Sequence, residues 1–293
     1  MNFKNIVPLK LKDEWQFTAE DLCAKLKPFQ PCGSSDFKSM GWVSPHDGAL
    51  AYSVNGQILL SLRTEEKVLP PAVVKKEVSK RERAIEAQQG SRPGRKQRAE
   101  IKDAVIAELL PRAFTKEDHT TIWIDPKNRL FVVGGGLRQV DVVIEQLRLS
   151  LDDVPLILIQ TSNSPSFSMT SWLVNGDAPE GFTIDKDCEL RSQGEESASV
   201  KYSNESLDGN EIHRHVAIGK AASSLAMTYN ERVSFVLTKA FEIKRICMLD
   251  TVMEDAAAND NDAGAFDADV TIMTGELSSM IPALVTALGG EVA

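Results

Sequence analysis

Three carboxylates near the C-terminus, Asp267, Asp269 and Glu276, are the residues whose type and spacing most directly suggest chemistry. A set of this kind can hold two divalent cations that activate water for phosphodiester hydrolysis. On a strand, Asp267 and Asp269 project to one face, as such a site requires. However, from Ile246 to Ala293 there is no Lys, Arg or His to hold a phosphate, and an acidic surface edge is the competing reading. Gly134-Gly135-Gly136 stands between a strand and a helix, where a phosphate-binding turn would sit. Neither GxGxxG nor GK[ST] accompanies it, so a plain strand-to-helix turn is expected. His213 and His215 flank Arg214 near a helix start, and a spacing of two sends their rings to different sides, which is awkward for one metal. His46 and His119 lie in loop-like contexts and are expected to face solvent. Cys23, Cys32, Cys188 and Cys247 form no CxxC pair, which argues against a disulfide scaffold or cysteine zinc site and for a reducing compartment. No Gly-x-Ser-x-Gly occurs. These residues call for no cofactor or metal, and an enzyme is not the leading reading.

The remaining chemistry is electrostatic. The chain of 293 residues has a net charge of -9, which taken alone argues against nucleic acid. The distribution says otherwise. The segment from Ile246 to Ala293 holds nine acids and no base, so residues 1–245 carry 33 bases against 33 acids. Within them, Arg63 to Lys116 holds 14 bases and 8 acids, densest at Arg92-Pro93-Gly94-Arg95-Lys96-Gln97-Arg98. Screening limits the reach of charge to about 10 Å at moderate salt, so a basic segment can dominate its neighbourhood on an acidic protein. A solvated helix pair with scattered charges is the bland alternative.

The elements that must position these residues alternate hairpins with helices. Phe3–Leu11 reads as a strand and Thr18–Leu26 as a helix capped by Thr18. Asn55-Gly56 between Ala49–Val54 and Gln57–Arg63 is a hairpin signal, because both turn residues need positive φ. After Pro70-Pro71, two helices are expected. Val74, Val78 and Ile85 share one face of the first, and Ile101, Val105 and Leu109 one face of the second. Gly90–Gly94 breaks between them and Pro111 ends the second. The result is an αα-hairpin with a basic tip and a thin apolar seam. Thr121–Asp125 and Arg129–Val133 make another hairpin, followed by a helix with Leu137, Val140, Ile144 and Leu147 on one face. Pro155–Ile159 is a buried-strand candidate, and residues 161–168 a connection. Further on come a short helix around Trp172, an acidic stretch from Asp185 to Glu211, and a long helix from Asn210 to about Thr228. Arg232–Leu237 and Phe241–Leu249 form a hairpin. A flexible acidic loop at 256–265, a strand Phe266–Thr274 and a helix Gly275–Leu288 complete the chain. No uninterrupted apolar run reaches the roughly 18–20 residues that span a bilayer, and Met1–Ile6 shows no secretory signal. A cytoplasmic protein without a membrane role is expected.

Several blocks together resemble the bacterial recombination-associated protein RdgC family. In the first half they are Phe3-Lys4-Asn5, Pro31-Cys32-Gly33-Ser34, Met40-Gly41-Trp42-Val43, Asn55-Gly56-Gln57-Ile58, Glu65-Glu66-Lys67 and Leu69-Pro70. Leu109-Leu110-Pro111-Arg112-Ala113-Phe114 and Trp123-Ile124-Asp125 follow. In the second half they are Gly219-Lys220, Lys244-Arg245, Phe266-Asp267-Ala268-Asp269, Met273-Thr274-Gly275-Glu276-Leu277 and Leu288-Gly289-Gly290-Glu291. They fall in the family's order over nearly the whole chain. Gly134–Gly136 is no part of that pattern, Gly194–Asn204 is poor in bases, and Asn259–Gly264 diverges.

The resemblance implies an α+β, horseshoe-shaped monomer of two sheet units with a projecting helical hairpin, closing into a ring-shaped homodimer. Residues 1–72 with 112–162 would form a central domain, 73–111 the tip and 163–293 the base. It implies a DNA-binding protein without sequence preference that encircles double-stranded DNA. Such a protein would restrain the RecA recombinase, by direct contact or by competition for DNA, and associate with the nucleoid. Resemblance and charge map meet on the hairpin. Lys75, Lys76, Lys80, Arg81, Arg92, Arg95, Lys96 and Arg98 are candidate phosphate contacts, with Arg112, Lys220, Lys244 and Arg245 in second rank. Aromatic content is 6%, with no ladder among the bases, so single-strand stacking is disfavoured. Phe114 is either core or a dimer-interface anchor, a role in which aromatics and Arg are enriched. Two other readings stay open: the metal-dependent nuclease, and a protein-docking module whose basic hairpin meets an acidic partner.

Overall fold

A computed structural model describes residues 3–12, 15–151, 153–192, 198–207, 210–250, 252 and 265–292. The strands are β1 (Asn5–Leu11), β2 (Lys38–Val43), β3 (Ala51–Val54), β4 (Gln57–Val68), β5 (Phe114–Asp125) and β6 (Leu130–Gly134) in the first half. They continue with β7 (Leu156–Leu158), β8 (Phe182–Ser192), β9 (Ser199–Tyr202), β10 (Lys220–Tyr229), β11 (Val233–Thr238) and β12 (Ile243–Met248). Helices described are α1 (Ala19–Lys25), α2 (Pro71–Gln89), α3 (Arg95–Leu109), α4 (Leu137–Arg148), α5 (Pro165–Asn175), α6 (Asn210–Ala217) and α7 (Ala265–Ala287).

The α+β class holds, but where two sheet units were expected the strands form one antiparallel sheet. Its path is β2-β4-β5-β6-β1-β12-β11-β10-β8-β9. The join is β1, which pairs with β6 on one side and with β12 and β7 on the other. Period-two alternation gives the first half two apolar faces. Val7, Leu60, Ile122 and Phe131 pack under α1 and α4. Ile6, Leu59, Trp123 and Val132 face the opposite way, into the core covered by α7. That helix also packs on Leu225, Phe235 and Ile243 of the second half, so one helix spans both.

Local signals explain most boundaries. Thr18 and Asp21 form a reciprocal capping box at α1. Asn55 and Gly56 take φ of 50° and 77°, as a two-residue hairpin requires. Several expectations need correction. α7 is continuous where a strand followed by a helix was expected. Val270, Met273, Leu277, Ile281, Leu284 and Leu288 keep helical spacing through the whole segment and are buried. It is also long and apolar enough, by length and composition, to cross a membrane; here its apolar face is core. The long helix expected from Asn210 stops at Ala217, and Gly219 turns with φ 87°. Residues 220–229 are then captured as β10 between β8 and β11, tertiary pairing overriding local helical preference. The acidic stretch conceals β8 and β9, whose Cys188, Leu190 and Tyr202 turn inward. β7 is an exposed short strand, with Ile157 and Leu158 half open, rather than a buried one. Leu137 is exposed and Val143 takes its place in the core. The acidic loop expected at 256–265 lies, up to residue 264, outside the described residues.

Candidate nucleic-acid interface

β4 and β5 are each 12 residues long and pair from Ile58↔Ile124 to Val68↔Phe114. Their outer halves form an arm, and the α2–α3 hairpin is mounted at its end. Pro71 opens α2, Gly90 closes it in a left-handed conformation with φ 71°, and Gly94 caps α3 without a side-chain bond. Buried Val74, Ile101 and Val105 make the seam, with Val78, Ile85, Ile106 and Leu109 packed beside them.

The candidate cations divide into two groups. Lys75, Lys76 and Lys80, with Arg83, wall an open concavity of about 710 Å³ along one face of α2. Arg95 and Lys96 are exposed in the first turn of α3, with no ion-pair partner among the described residues. That turn contains no acid. Cations there oppose the helix dipole, whose positive end already attracts anions, so the turn gathers positive charge against its own stability. The other arginines of the hairpin are paired: Arg81 with Glu108, Arg92 with Glu86 at 3.1 Å, and Arg98 with Glu82 at 3.7 Å. Lys80 stands 4.0 Å from Glu77. Exposed pairs of this kind are worth about 0–1 kcal/mol, so an arriving phosphate can compete for them.

Arg112 is exposed beside Phe114. Phe114 is 86% exposed and Val68 and Val73 each 45%, so Phe114 is not a core residue. Lys220, Lys244 and Arg245 are not brought to the hairpin. Lys244 and Arg245 lie on β12, four strands from β4, which is about 19 Å at the usual strand spacing. Lys220 Nζ donates to the Ala198 carbonyl, Lys244 pairs with Glu242 at 2.7 Å, and Arg245 with Asp187 at 3.0 Å. The Asn204 N–H and Arg245 hold the Asp187 carboxyl below its ordinary range.

The nuclease set is not assembled. Asp267 and Asp269 lie on α7 rather than on a strand, and two helical residues apart they diverge. Asp267 accepts the Tyr52 hydroxyl at 2.7 Å, and Glu276 accepts Arg232 Nε at 2.8 Å. No metal-holding group of three such side chains occurs among the described residues. The glycine turn is a turn: Gly136 N donates to Gln139 Oε1, and Leu137 N to Glu242 Oε1. His46 is half-buried and stacks on Phe266 with centroids 4.0 Å apart, correcting its expected solvent position. His119 sits on β5, where it is exposed. His213 is exposed on α6, while His215 is half-buried near Tyr202. Sequence reasoning missed Lys38, Lys116 and Arg138, which line one cleft. Only the register of β2, β4 and β5 reveals them, and the outer parts of β4 and β5 carry no apolar period.

The hairpin on its arm defines a protein that offers an extended cationic surface on a mixed α+β body. The chain belongs to the RdgC family, whose model, described as "Putative exonuclease, RdgC", matches residues 1–291. It is similar to the recombination-associated protein RdgC of Janthinobacterium sp. (strain Marseille), at 47% identity over 100% of this chain and 99% of that protein. It is similar to the one from Dechloromonas aromatica (strain RCB) at 46%, again over 100% and 99%. The same protein of Herminiimonas arsenicoxydans is 46% identical over 99% of both. These relatives are named for recombination and not as enzymes.

Proposed function

We propose that the chain binds double-stranded DNA without sequence preference, as a homodimeric ring that encircles the duplex and limits the access of the RecA recombinase. The observation that carries this reading is the set of exposed cations on α2 and at the start of α3, of which Lys75, Lys76, Arg95 and Lys96 have no ion-pair partner among the described residues. Lysine and arginine on phosphates release counterions and give affinity without reading bases. Glu82, Glu86 and Glu108 hold neighbouring arginines in place until a phosphate displaces them. No ladder of aromatic rings accompanies these cations, in keeping with a duplex rather than a stacked single strand. Phe114, exposed with Val68 and Val73 at the root of the hairpin, is the anchor of one contact between the two copies. A protein threaded on duplex DNA acts on RecA by occupying its substrate, and its place in the cell is then the nucleoid.

The nuclease reading has weaker support, since Asp267 and Glu276 are engaged elsewhere and point apart. Incubation of labelled duplex with Mg²⁺ or Mn²⁺ separates the two. Intact DNA that is shifted in mobility supports the binding reading. Cleavage that is lost on Asp269→Asn would replace it.

A further inference from the structure

The sheet face that carries α1 and α4 continues past the core as a polar cleft of about 280 Å³. Three elements bring a cation to it: Lys38 from β2, Lys116 from β5 and Arg138 from the first turn of α4. Thr64 and Thr120 add hydroxyls, and Glu66 and Asp118 two carboxylates. Strand register makes the grouping: Glu66 lies opposite both Lys38 and Lys116, and Thr64 opposite Asp118. All of these strand positions alternate in phase with Leu62 and Ile122, so they share that face.

Such a row could have closed into a salt-bridge network, because opposed Cβ atoms lie only about 5 Å apart. It has not. Neither Lys38, Lys116 nor Arg138 has an ion-pair partner among the described residues, in contrast to Arg81, Arg92 and Arg98 on the hairpin. Three cations against two carboxylates leave one positive charge in a concave site, where low-dielectric walls focus the field. The cleft lies on the arm that carries the hairpin. Glu66 is four residues before Pro70, the cap of α2, about 13 Å along a strand.

We infer that this cleft is a phosphodiester subsite for the DNA backbone, with Lys38, Lys116 and Arg138 as charged donors and Thr64 and Thr120 as neutral ones. It rests on the DNA reading of the hairpin and extends the track from the helices down the arm onto the sheet. Glu66 and Asp118 hold the net charge to one, which leaves the contact weak enough to release as the duplex moves.

The test is a lysine-acylation footprint of the unaltered protein by mass spectrometry, without DNA, with saturating duplex, and with inorganic phosphate. Salt titrations of duplex binding by the wild type and by Lys116→Gln/Arg138→Gln accompany it. The inference expects Lys38 and Lys116 to lose reactivity with duplex but not with phosphate. It expects the double variant's log K against log salt to be shallower by about 0.9 per lost contact. Duplex protection of Lys75 and Lys96 with Lys38 and Lys116 still reactive, or an unchanged slope, overturns the subsite while leaving the hairpin reading intact. Equal protection by phosphate alone makes it a small-anion site and overturns the backbone assignment. Absence of binding by the wild type at low salt overturns the hairpin reading and the subsite with it.

Discussion

Tyr52, on β3, donates its hydroxyl to the Asp267 carboxylate of α7 at 2.7 Å across 215 residues of sequence. Around this bond His46 stacks on Phe266, and Asn55 donates to Thr271. The β3–β4 hairpin is thereby tied to the helix that covers both halves of the sheet, and one carboxylate of the supposed nuclease set has a structural partner.

That bond has a pH signature. Hydrogen bonding to the carboxylate, with burial second, pushes the Tyr52 phenol up to about 12. A raised folded-state value means that its contribution is complete below the unfolded phenol value of about 10. It is lost as pH rises from there toward about 12. Tyrosinate absorbance titrations of the wild type and of Tyr52→Phe should differ by one group ionising late. A difference spectrum centred at the ordinary phenol value would contradict the assignment.

The first turn of α3 should trade stability for function. Replacing Arg95 and Lys96 with Glu puts acids at the positive end of the helix dipole, which should stabilise by about 0.3–1 kcal/mol per site. The same change should abolish much of the DNA affinity. Urea unfolding and duplex binding measured on one preparation decide this. A variant less stable than wild type, or one that still binds fully, would count against a DNA role for this turn.

Lys67 is buried on β4, and its Nζ donates to the carbonyls of Gly33, at 2.6 Å, and Ser34, at 3.0 Å. Its backbone N–H bonds the Phe37 carbonyl. The Pro31–Ser34 and Glu65–Lys67 blocks of the sequence thus meet, holding one loop onto the arm. Lys67→Met removes both hydrogen bonds made by the ammonium and should cost about 1.5–3 kcal/mol, read as a lower urea midpoint at unchanged slope. A midpoint equal to wild type would refute the stapling role.

What could be read from the sequence follows from where an apolar period exists. Thr18, Asn55-Gly56, Gly90 and Gly94 punctuate segments whose apolar residues recur at 2 or 3.6, and those elements stand as expected. The outer parts of β4 and β5 are polar on both faces. No period marks them, and so the Lys38–Lys116–Arg138 cleft was out of reach. Residues 220–229, Lys-Ala-Ala-Ser-Ser-Leu-Ala-Met-Thr-Tyr, favour a helix locally; only pairing with Cys188 and Leu237 makes Leu225 a strand residue. Asp267 and Asp269 alternate like strand residues over a short window, and the longer helical period of α7 decides against it. Charge segregation was legible from composition. Ion pairing was not, because Glu82, Glu86 and Glu108 reach their arginines only through the fold.

Phe114 offers a direct test of self-association. Because its side chain is 86% exposed, Phe114→Ser should leave the far-UV circular dichroism spectrum of the folded chain unchanged and lower the sedimentation-derived mass at low protein concentration. A mass equal to that of the wild type across the dilution series would remove this residue from the proposed dimer contact.

The central claim is non-specific backbone binding, and fluorescence anisotropy against salt on two unrelated duplexes of equal length tests it most directly. The account predicts equal affinities for both, falling steeply with salt, with a log–log slope of about -0.9 for each phosphate neutralised. Affinities that differ strongly between the duplexes, or no binding even at low salt, would contradict it.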